Sequence, residues 1–151
     1  MRSFALIVLL TLGLGAGVGA AAAQAPRNPP DPHIADGSLQ RKLDAARRSW
    51  KAANVRSYRY EIRQICFCPP QKSRLVVVRR GVATRWPSGL KSVATVPRLF
   101  KRIQGAIDGG AAKISVTYGR RGVPREIAID YLVYVADEES GYSISHFTPL
   151  K

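Results

Sequence analysis

The sequence predicts an α+β fold: one antiparallel β-sheet of about six strands, in the order α-β-β-β-α-β-β-β, with two helices packed on one face. Two segments place apolar residues at helical spacing, and six segments are β-prone or alternate apolar with polar residues. Short links between consecutive strands favour antiparallel pairing, and alternating strands need only one covered face. The chain has 151 residues, enough for one hydrophobic core, and we expect a single domain.

The first 23 residues are predicted to be a signal peptide. A short positive start precedes the apolar run Phe4 to Leu14, and small residues lead to a cleavage site after Ala23. The apolar run is too short to cross a bilayer as a helix. Residues 24–37 are rich in proline and are predicted to be a flexible leader, so the folded domain is expected over residues 38–151. We therefore expect an exported, soluble protein located in the periplasm, in the envelope or outside the cell.

Two amphipathic helices are predicted. The first is capped by Ser38 or Asp36 and runs to about Ala53, where Asn54 ends it. The second is capped by Thr95, has a proline in its first turn, and ends at Gly109-Gly110. Their buried stripes are expected to be Leu39, Leu43, Ala46 and Trp50 in the first helix, and Leu99, Phe100, Ile103, Ala106 and Ile107 in the second.

The first predicted strand runs from Ser57 to Cys68 and is stopped by prolines. Alternation places one set of side chains on each face of this strand. One set is Tyr58, Tyr60, Ile62, Gln64, Cys66 and Cys68, and the other begins with Arg59, Glu61 and Arg63. Beyond Gln64 the second face becomes apolar, at Ile65 and Phe67. We expect this end of the strand to be covered on both sides or bent by a bulge.

The remaining strands include a hairpin around Arg80-Gly81, where Gly81 supplies a positive φ. The predicted strands are Arg74 to Arg79, Val82 to Trp86, Lys113 to Tyr118, Val123 to Tyr131, and a last short strand, Tyr142 to Phe147. A connector between the last two, Leu132 to Gly141, carries the acidic triplet Asp137, Glu138 and Glu139.

Four segments of the chain resemble a known family. They are Ser57-Tyr58-Arg59-Tyr60, Cys66-Phe67-Cys68-Pro69, Ile129-Asp130-Tyr131, and the stretch from Ala136 to Pro149. Together they resemble small exported bacterial proteins of the domain-of-unknown-function family 6174, from Leu39 to Leu150. The resemblance implies an exported α+β domain and supplies no activity. His146 stands where the family's pattern favours an acidic residue or asparagine, and Leu132 stands where an acidic residue is common. Both departures weaken any carboxylate site inferred from the family.

The chain is strongly basic, with a formal net charge of +14. Between Arg41 and Arg85 stand thirteen lysines and arginines, against two acids. A field of this sign attracts anionic surfaces such as lipid headgroups and envelope polymers. The arginines expected to form a binding surface are Arg59, Arg63, Arg79, Arg80 and Arg85. The competing interpretation is that an arginine-rich and alanine-rich composition reflects a GC-rich genome and that the charge acts on solubility alone.

Both cysteines of the chain, Cys66 and Cys68, lie at the end of the first predicted strand. An exported protein with two cysteines usually pairs them. Residues two apart on an extended strand have Cα atoms about 6.6 Å apart, however, at the outer limit for a disulfide. A bridge therefore requires a local bend, which the neighbouring Pro69-Pro70 favours. The alternatives are buried free thiols, or a redox or metal-binding role.

Other arrangements that could carry chemistry have little support. A thiol-hydrolase triad of Cys66, His146 and Asp130 lacks a supporting spacing, and His146 is interpreted as an ordinary surface histidine. Tyr58 and Tyr60 are interpreted as core residues and not as a base-stacking platform. A calcium site would need the glycine and spacing of a calcium loop, which are lacking in the acidic set Asp130, Asp137, Glu138 and Glu139. We therefore predict no metal, cofactor or catalytic residue, and we do not expect nucleic acid as a partner.

Three functions are compatible with these observations. The first is a non-enzymatic exported domain that binds an anionic or protein partner in the cell envelope, and this is the one the sequence favours. The second is a thiol redox or hydrolytic enzyme centred on Cys66 and Cys68. The third is a purely structural envelope component. A catalytic thiol needs a pocket beside a base, whereas binding needs a continuous basic or apolar patch.

Overall fold

The computed structural model describes residues 28–132 and 140–151. The predicted signal peptide, residues 24–27 of the predicted leader, and the triplet Asp137, Glu138 and Glu139 lie outside the described residues. The elements are α1 (Pro32–Ala35), α2 (Ser38–Ala53), β1 (Tyr58–Cys66), β2 (Arg74–Arg79), β3 (Val82–Arg85), α3 (Val96–Asp108), β4 (Lys113–Tyr118), β5 (Pro124–Asp130) and β6 (Ser140–Pro149), with short 3-10 helices at Lys91–Val93 and Arg120–Gly122. Within these ranges, no helix is long and apolar enough to cross a membrane.

The six strands form one antiparallel sheet in the order β3-β2-β1-β6-β5-β4. It consists of two three-stranded meanders, β1 to β3 and β4 to β6, each preceded by a long helix. The meanders join where β1 pairs with β6. The predicted α+β class, strand number and element order are thus confirmed, with one short helix, α1, in addition to the two expected.

The hydrophobic core lies between the helices and one face of the sheet. Every residue of the predicted helical stripes is buried except Trp50, which is half-buried against the core. The sheet contributes its alternate positions: Tyr58, Tyr60, Ile62, Val76, Val78, Ile114, Ile127, Ile129, Tyr142 and Ile144. The opposite side, called the outer face below, carries the residues between them, which are mostly exposed or half-buried.

The ends of the two long helices follow from local chemistry. α3 begins where the Thr95 hydroxyl accepts a hydrogen bond from the Arg98 backbone N–H, at 3.2 Å. α2 ends at Asn54, which adopts the left-handed conformation with φ 46°. Neither cap predicted for α2 is its N-cap residue, which is Gly37 in the left-handed conformation with φ 71°. Asp36, one residue earlier, accepts a hydrogen bond from the Ser38 N–H, at 2.7 Å.

Residues 31–36 were predicted to belong to the flexible leader. This prediction is wrong, because the segment folds against β4. Asp31 is buried, and its two carboxylate oxygens accept hydrogen bonds from the N–H groups of His33 (2.9 Å) and Ile114 (2.8 Å). The Asp31 N–H also donates to the Ala111 carbonyl. The contact with His33 caps the start of α1. The contacts with Ile114 and Ala111 attach α1 to a segment 80 or more residues away in the chain.

The last strand also differs from its prediction. β6 is ten residues long and lies between β1 and β5 in the middle of the sheet, whereas a short strand ending at Phe147 was expected. Its pairing with β1 shifts register between the pairs Arg59–Thr148 and Glu61–Ser145. The shift is a β-bulge, where His146 has a φ of 51°. The bulge breaks the two-residue alternation by which strands are recognised in a sequence.

Candidate functional site

Three of the five predicted arginines lie close together on the outer face. Val77 of β2 stands opposite Arg59 on one side and Arg85 on the other, and Arg79 is two residues farther along β2. Arg59 and Arg85 are therefore about 10 Å apart across two strand spacings. All three side chains are exposed. We call Arg59, Arg79 and Arg85 the arginine cluster.

The other two predicted arginines lie apart from the cluster. Arg63 is on the same face of β1 but about 13 Å from Arg59, four residues along the strand. Arg80 occupies the β2–β3 turn, where it has a φ of 49° and Gly81 a φ of 83°. Two positive φ values identify a type I′ turn, so the predicted hairpin is present. Among the described residues, the ion pairs involve none of these five arginines.

The end of β1 forms a tight turn that brings the two cysteines together. The Cys68 N–H donates to the Cys66 carbonyl at 2.8 Å, which is a γ-turn centred on Phe67. This turn reduces the Cα–Cα separation of the cysteines to 5.2 Å, and their sulfur atoms lie at disulfide distance. The bend that a bridge requires is therefore located at Phe67, one residue before the two prolines. Residues 66–68 are called the cysteine turn below.

The prediction that the end of β1 at Ile65 and Phe67 is covered on both sides or bent by a bulge is wrong in both alternatives. Ile65 is 46% exposed and Phe67 is 78% exposed. The bulge lies opposite the other half of β1, and the bend at the Cys66 end is the γ-turn at Phe67. The two side chains border a cleft of about 440 Å³ whose other walls include Lys113, Ala128 and Asp130.

The structure does not assemble the thiol-hydrolase triad. Cys66 stands opposite Ser140 on β6, and His146 lies six residues farther along that strand, about 20 Å away. The Nδ1 atom of His146 lies instead 3.3 Å from a carboxylate oxygen of Glu61. Asp130 is buried and accepts a hydrogen bond from the Leu132 N–H at 2.8 Å. In the described part of the chain, no three histidine, cysteine, aspartate or glutamate residues are grouped so that they could hold a metal ion.

Tyr58 and Tyr60 are core residues, as predicted. The Tyr58 oxygen accepts a hydrogen bond from the Val96 N–H (3.0 Å), and the Tyr60 hydroxyl donates to the Val93 carbonyl (2.9 Å). Burial raises the pKa of Tyr58 to about 12, although the hydrogen bond from Val96 opposes the rise. Burial also raises the pKa of Tyr60, and the nearby Tyr58 adds to the effect. Both rings are therefore held neutral and enclosed, so neither is available for stacking on a base.

Sequence reasoning missed a second cationic group, on the exposed side of α3. Arg98, Lys101 and Arg102 line a cavity of about 410 Å³ together with Ser92 and Tyr131. The available signal was the spacing of three basic residues at i, i+3 and i+4 in a predicted helix, which places them on one side. The predicted binding surface is confined to the basic segment from Arg41 to Arg85, and α3 lies outside that segment.

Fold and site together define an α+β domain with an arginine cluster on the sheet face that no helix of the described residues covers, and with a cysteine turn at the end of a central strand. Residues 42–149 match the family described as "Family of unknown function (DUF6174)". The chain belongs to this family. Comparison with curated proteins and with solved structures gave no match.

Proposed function

We propose that this chain is a non-enzymatic domain that functions after export and binds an anionic component of the cell envelope through the outer face of its sheet. One observation carries the proposal: three exposed arginines surround Val77 on the face opposite the helices. The proposed export rests on the N-terminal sequence alone.

The chemistry of arginine supports an anionic partner. A guanidinium group presents paired N–H donors that match the oxygens of a carboxylate, sulfate or phosphate. Three such groups within about 10 Å create a local positive potential that concentrates anions and accelerates their encounter. Within residues 28–132 and 140–151 no helix covers this face of the sheet, and such a broad, open face suits an extended polymer or a surface better than a small enclosed ligand.

The proposal is tested by titrating the protein with heparin, a sulfated and carboxylated polymer, at two ionic strengths. We expect binding at low salt that weakens as salt is added, because exposed charges are screened beyond about 8–10 Å near physiological salt. The variant Arg59→Gln/Arg79→Gln/Arg85→Gln should bind at least tenfold more weakly.

The matched control is Lys42→Gln/Arg48→Gln/Lys51→Gln, on the exposed side of α2, which removes the same charge. It should keep most of the affinity. Equal losses in the two variants would show that only net charge matters, and the proposed surface would be wrong. Export is tested separately, by mass spectrometry of exported material. A mature N-terminus near Gln24 is expected, and retention of residues 1–23 would contradict export.

A thiol redox function has one observation in its favour, namely that Cys68 is exposed beside Cys66. In such a reaction a dithiol substrate is oxidised to a disulfide while a Cys66–Cys68 disulfide is reduced to two thiols. Catalysis of dithiol oxidation that is lost in Cys66→Ser/Cys68→Ser would favour this function. Unchanged heparin binding in the same variant would favour the anion-binding proposal.

A further inference from the structure

We propose that the cavity on the exposed side of α3 is a binding site for a phosphate group, carried either by a soluble molecule or by a lipid headgroup. The site lies on the helical side of the domain, opposite the arginine cluster, and does not depend on the function proposed above. Its cations are Arg98, Lys101 and Arg102, from one side of α3.

The spacing of the three cations is unfavourable without an anion. Residues three and four apart in a helix have Cβ atoms about 5–6 Å apart, and like charges at these separations destabilise the helix by a few tenths of a kcal/mol per pair. Among the described residues, the ion pairs involve none of the three. A bound dianion would offset this mutual repulsion, because it attracts all three cations.

The surroundings of the cations already fix two of them in place. Arg98 donates from Nη1 to the Lys91 carbonyl at 2.8 Å, and Arg102 donates from Nη2 to the Ser140 hydroxyl at 3.1 Å. These contacts anchor each guanidinium group by one nitrogen and leave its other N–H groups for a ligand. Lys101 is exposed and adds a third charge.

Arg102 carries the most specific sign of a missing partner. Within the described ranges, its Nε atom is buried and has no hydrogen-bond partner. Buried donors of charged groups are nearly always paired, and an unpaired one points to an ion or water that belongs at the site. The edge formed by Nε and one Nη is the one through which arginine makes its two-pronged contact with phosphate, so a phosphate group is a partner that would satisfy this Nε atom.

The rest of the cavity determines the kind of ligand. Its volume of about 410 Å³ exceeds the size of a lone phosphate ion, and its wall includes the Ser92 and Tyr131 side chains. A serine hydroxyl can add a hydrogen bond, and a tyrosine ring gives an apolar surface for the group that carries the phosphate. The site therefore fits a phosphate ester better than a free ion.

The first test follows backbone amide signals by NMR while inorganic phosphate is added to the protein at low ionic strength. Saturable shifts confined to the residues around Ser92 and Arg102 are expected. Lys101→Gln and Arg102→Gln should each weaken binding at least fivefold, whereas Arg85→Gln, on the outer face, should leave it unchanged. Because Lys101 is exposed, its variant remains informative even if Arg102→Gln does not fold. Absence of saturable shifts, or an equal loss in Arg85→Gln, would overturn the proposal.

A second measurement identifies the source of the phosphate group. Binding to phosphatidylglycerol vesicles but not to phosphatidylcholine vesicles, with loss in Lys101→Gln, would indicate a lipid headgroup. Phosphate binding without vesicle binding would indicate a soluble ester, and both outcomes support the site. The variant Asp137→Asn/Glu138→Gln/Glu139→Gln provides the opposite test. If this variant binds phosphate and the parent protein does not, the cavity is occupied by the chain's own carboxylates and the proposal is wrong.

Discussion

Among single residues, Tyr58 and Tyr60 connect the central strand β1 to the start of α3. Each hydroxyl pairs with a backbone group near the beginning of that helix, one as acceptor and one as donor. Trp50 and Phe147 pack on Tyr58, with ring centroids 5.3 Å from it in both cases. The aromatic pair in the Ser-Tyr-Arg-Tyr segment therefore positions a helix.

Alkaline pH should destabilise the protein through these tyrosines. The pKa of Tyr58 is raised to about 12 in the fold, against about 10 for an exposed tyrosine, so the folded state holds the phenol proton more tightly than the unfolded chain does. The stabilisation is complete below about pH 10 and is lost as the pH rises towards 12. We expect the melting temperature to fall across this window. Full ionisation of all six tyrosines near pH 10, with the protein still folded, would contradict the burial argument.

The cysteine turn should contribute little to global stability. A disulfide between Cys66 and Cys68 closes a loop of three residues, and the chain-entropy model assigns such a loop less than about 2 kcal/mol. We expect thiol counting under denaturing conditions to find no free thiol in protein isolated from an oxidising compartment. Mild reductant should then lower the melting temperature by less than about 8 °C. Two free thiols, or a much larger decrease, would show that this interpretation of the turn is wrong.

Among the elements, α1 depends on one side chain that contacts a distant strand. Replacing Asp31 with alanine leaves the buried Ile114 N–H without its acceptor and removes the hydrogen bond to the His33 N–H. The expected loss in the free energy of unfolding is about 2–3 kcal/mol. Chemical denaturation measures this loss, and hydrogen exchange at Ile114 should become faster.

The control for Asp31 is Asp108, an exposed aspartate whose carboxylate accepts only from the Gln104 side chain among its described contacts. Asp108→Ala should change the free energy of unfolding by less than about 0.5 kcal/mol. Equal effects of the two substitutions would mean that the Asp31 contacts do not hold α1 in place.

The elements that could be predicted from the sequence carry their own local signal. α2 and α3 have apolar stripes and capping residues, and the β2–β3 hairpin has Gly81 in its turn, so all three were found. α1 has only four residues, and its capping residue Asp31 is held by Ile114, 83 positions farther along the chain. No local sequence pattern can reveal such a contact. The extent of β6 was missed because the bulge at His146 interrupts the alternation.

The candidate site was predicted only in part, for a related reason. Alternation shows which residues of a strand share a face, and that placed Arg59 and Arg63 together. The grouping of Arg59 with Arg79 and Arg85 depends on the register of three strands, which the turn at Gly81 partly fixes. The exposure of Phe67 was not predictable, because an apolar side chain gives no sign that the face around it is uncovered.

At the scale of the whole molecule, β6 joins the two meanders into one sheet. Ile144 of this strand is 2% exposed and lies in the shared core, whereas Val82 on the edge strand β3 is 66% exposed. Ile144→Ala should lower the free energy of unfolding by about 2–5 kcal/mol, and Val82→Ala should change it by less than about 0.5 kcal/mol. Urea denaturation of both variants checks this. A loss at Val82 as large as that at Ile144 would mean that the edge contributes as much as the centre.

The central position of β6 also determines when the protein can fold during its synthesis. The ribosome delivers this strand after the other five, and until it arrives β1 and β5 each lack the neighbour between them. The sheet therefore closes through contacts between residues more than 70 positions apart, which form slowly. The export proposed above, through a channel that accepts only unfolded chains, would be compatible with such a delay. The cost of the delay is a period in which two unpaired strand edges need protection from aggregation.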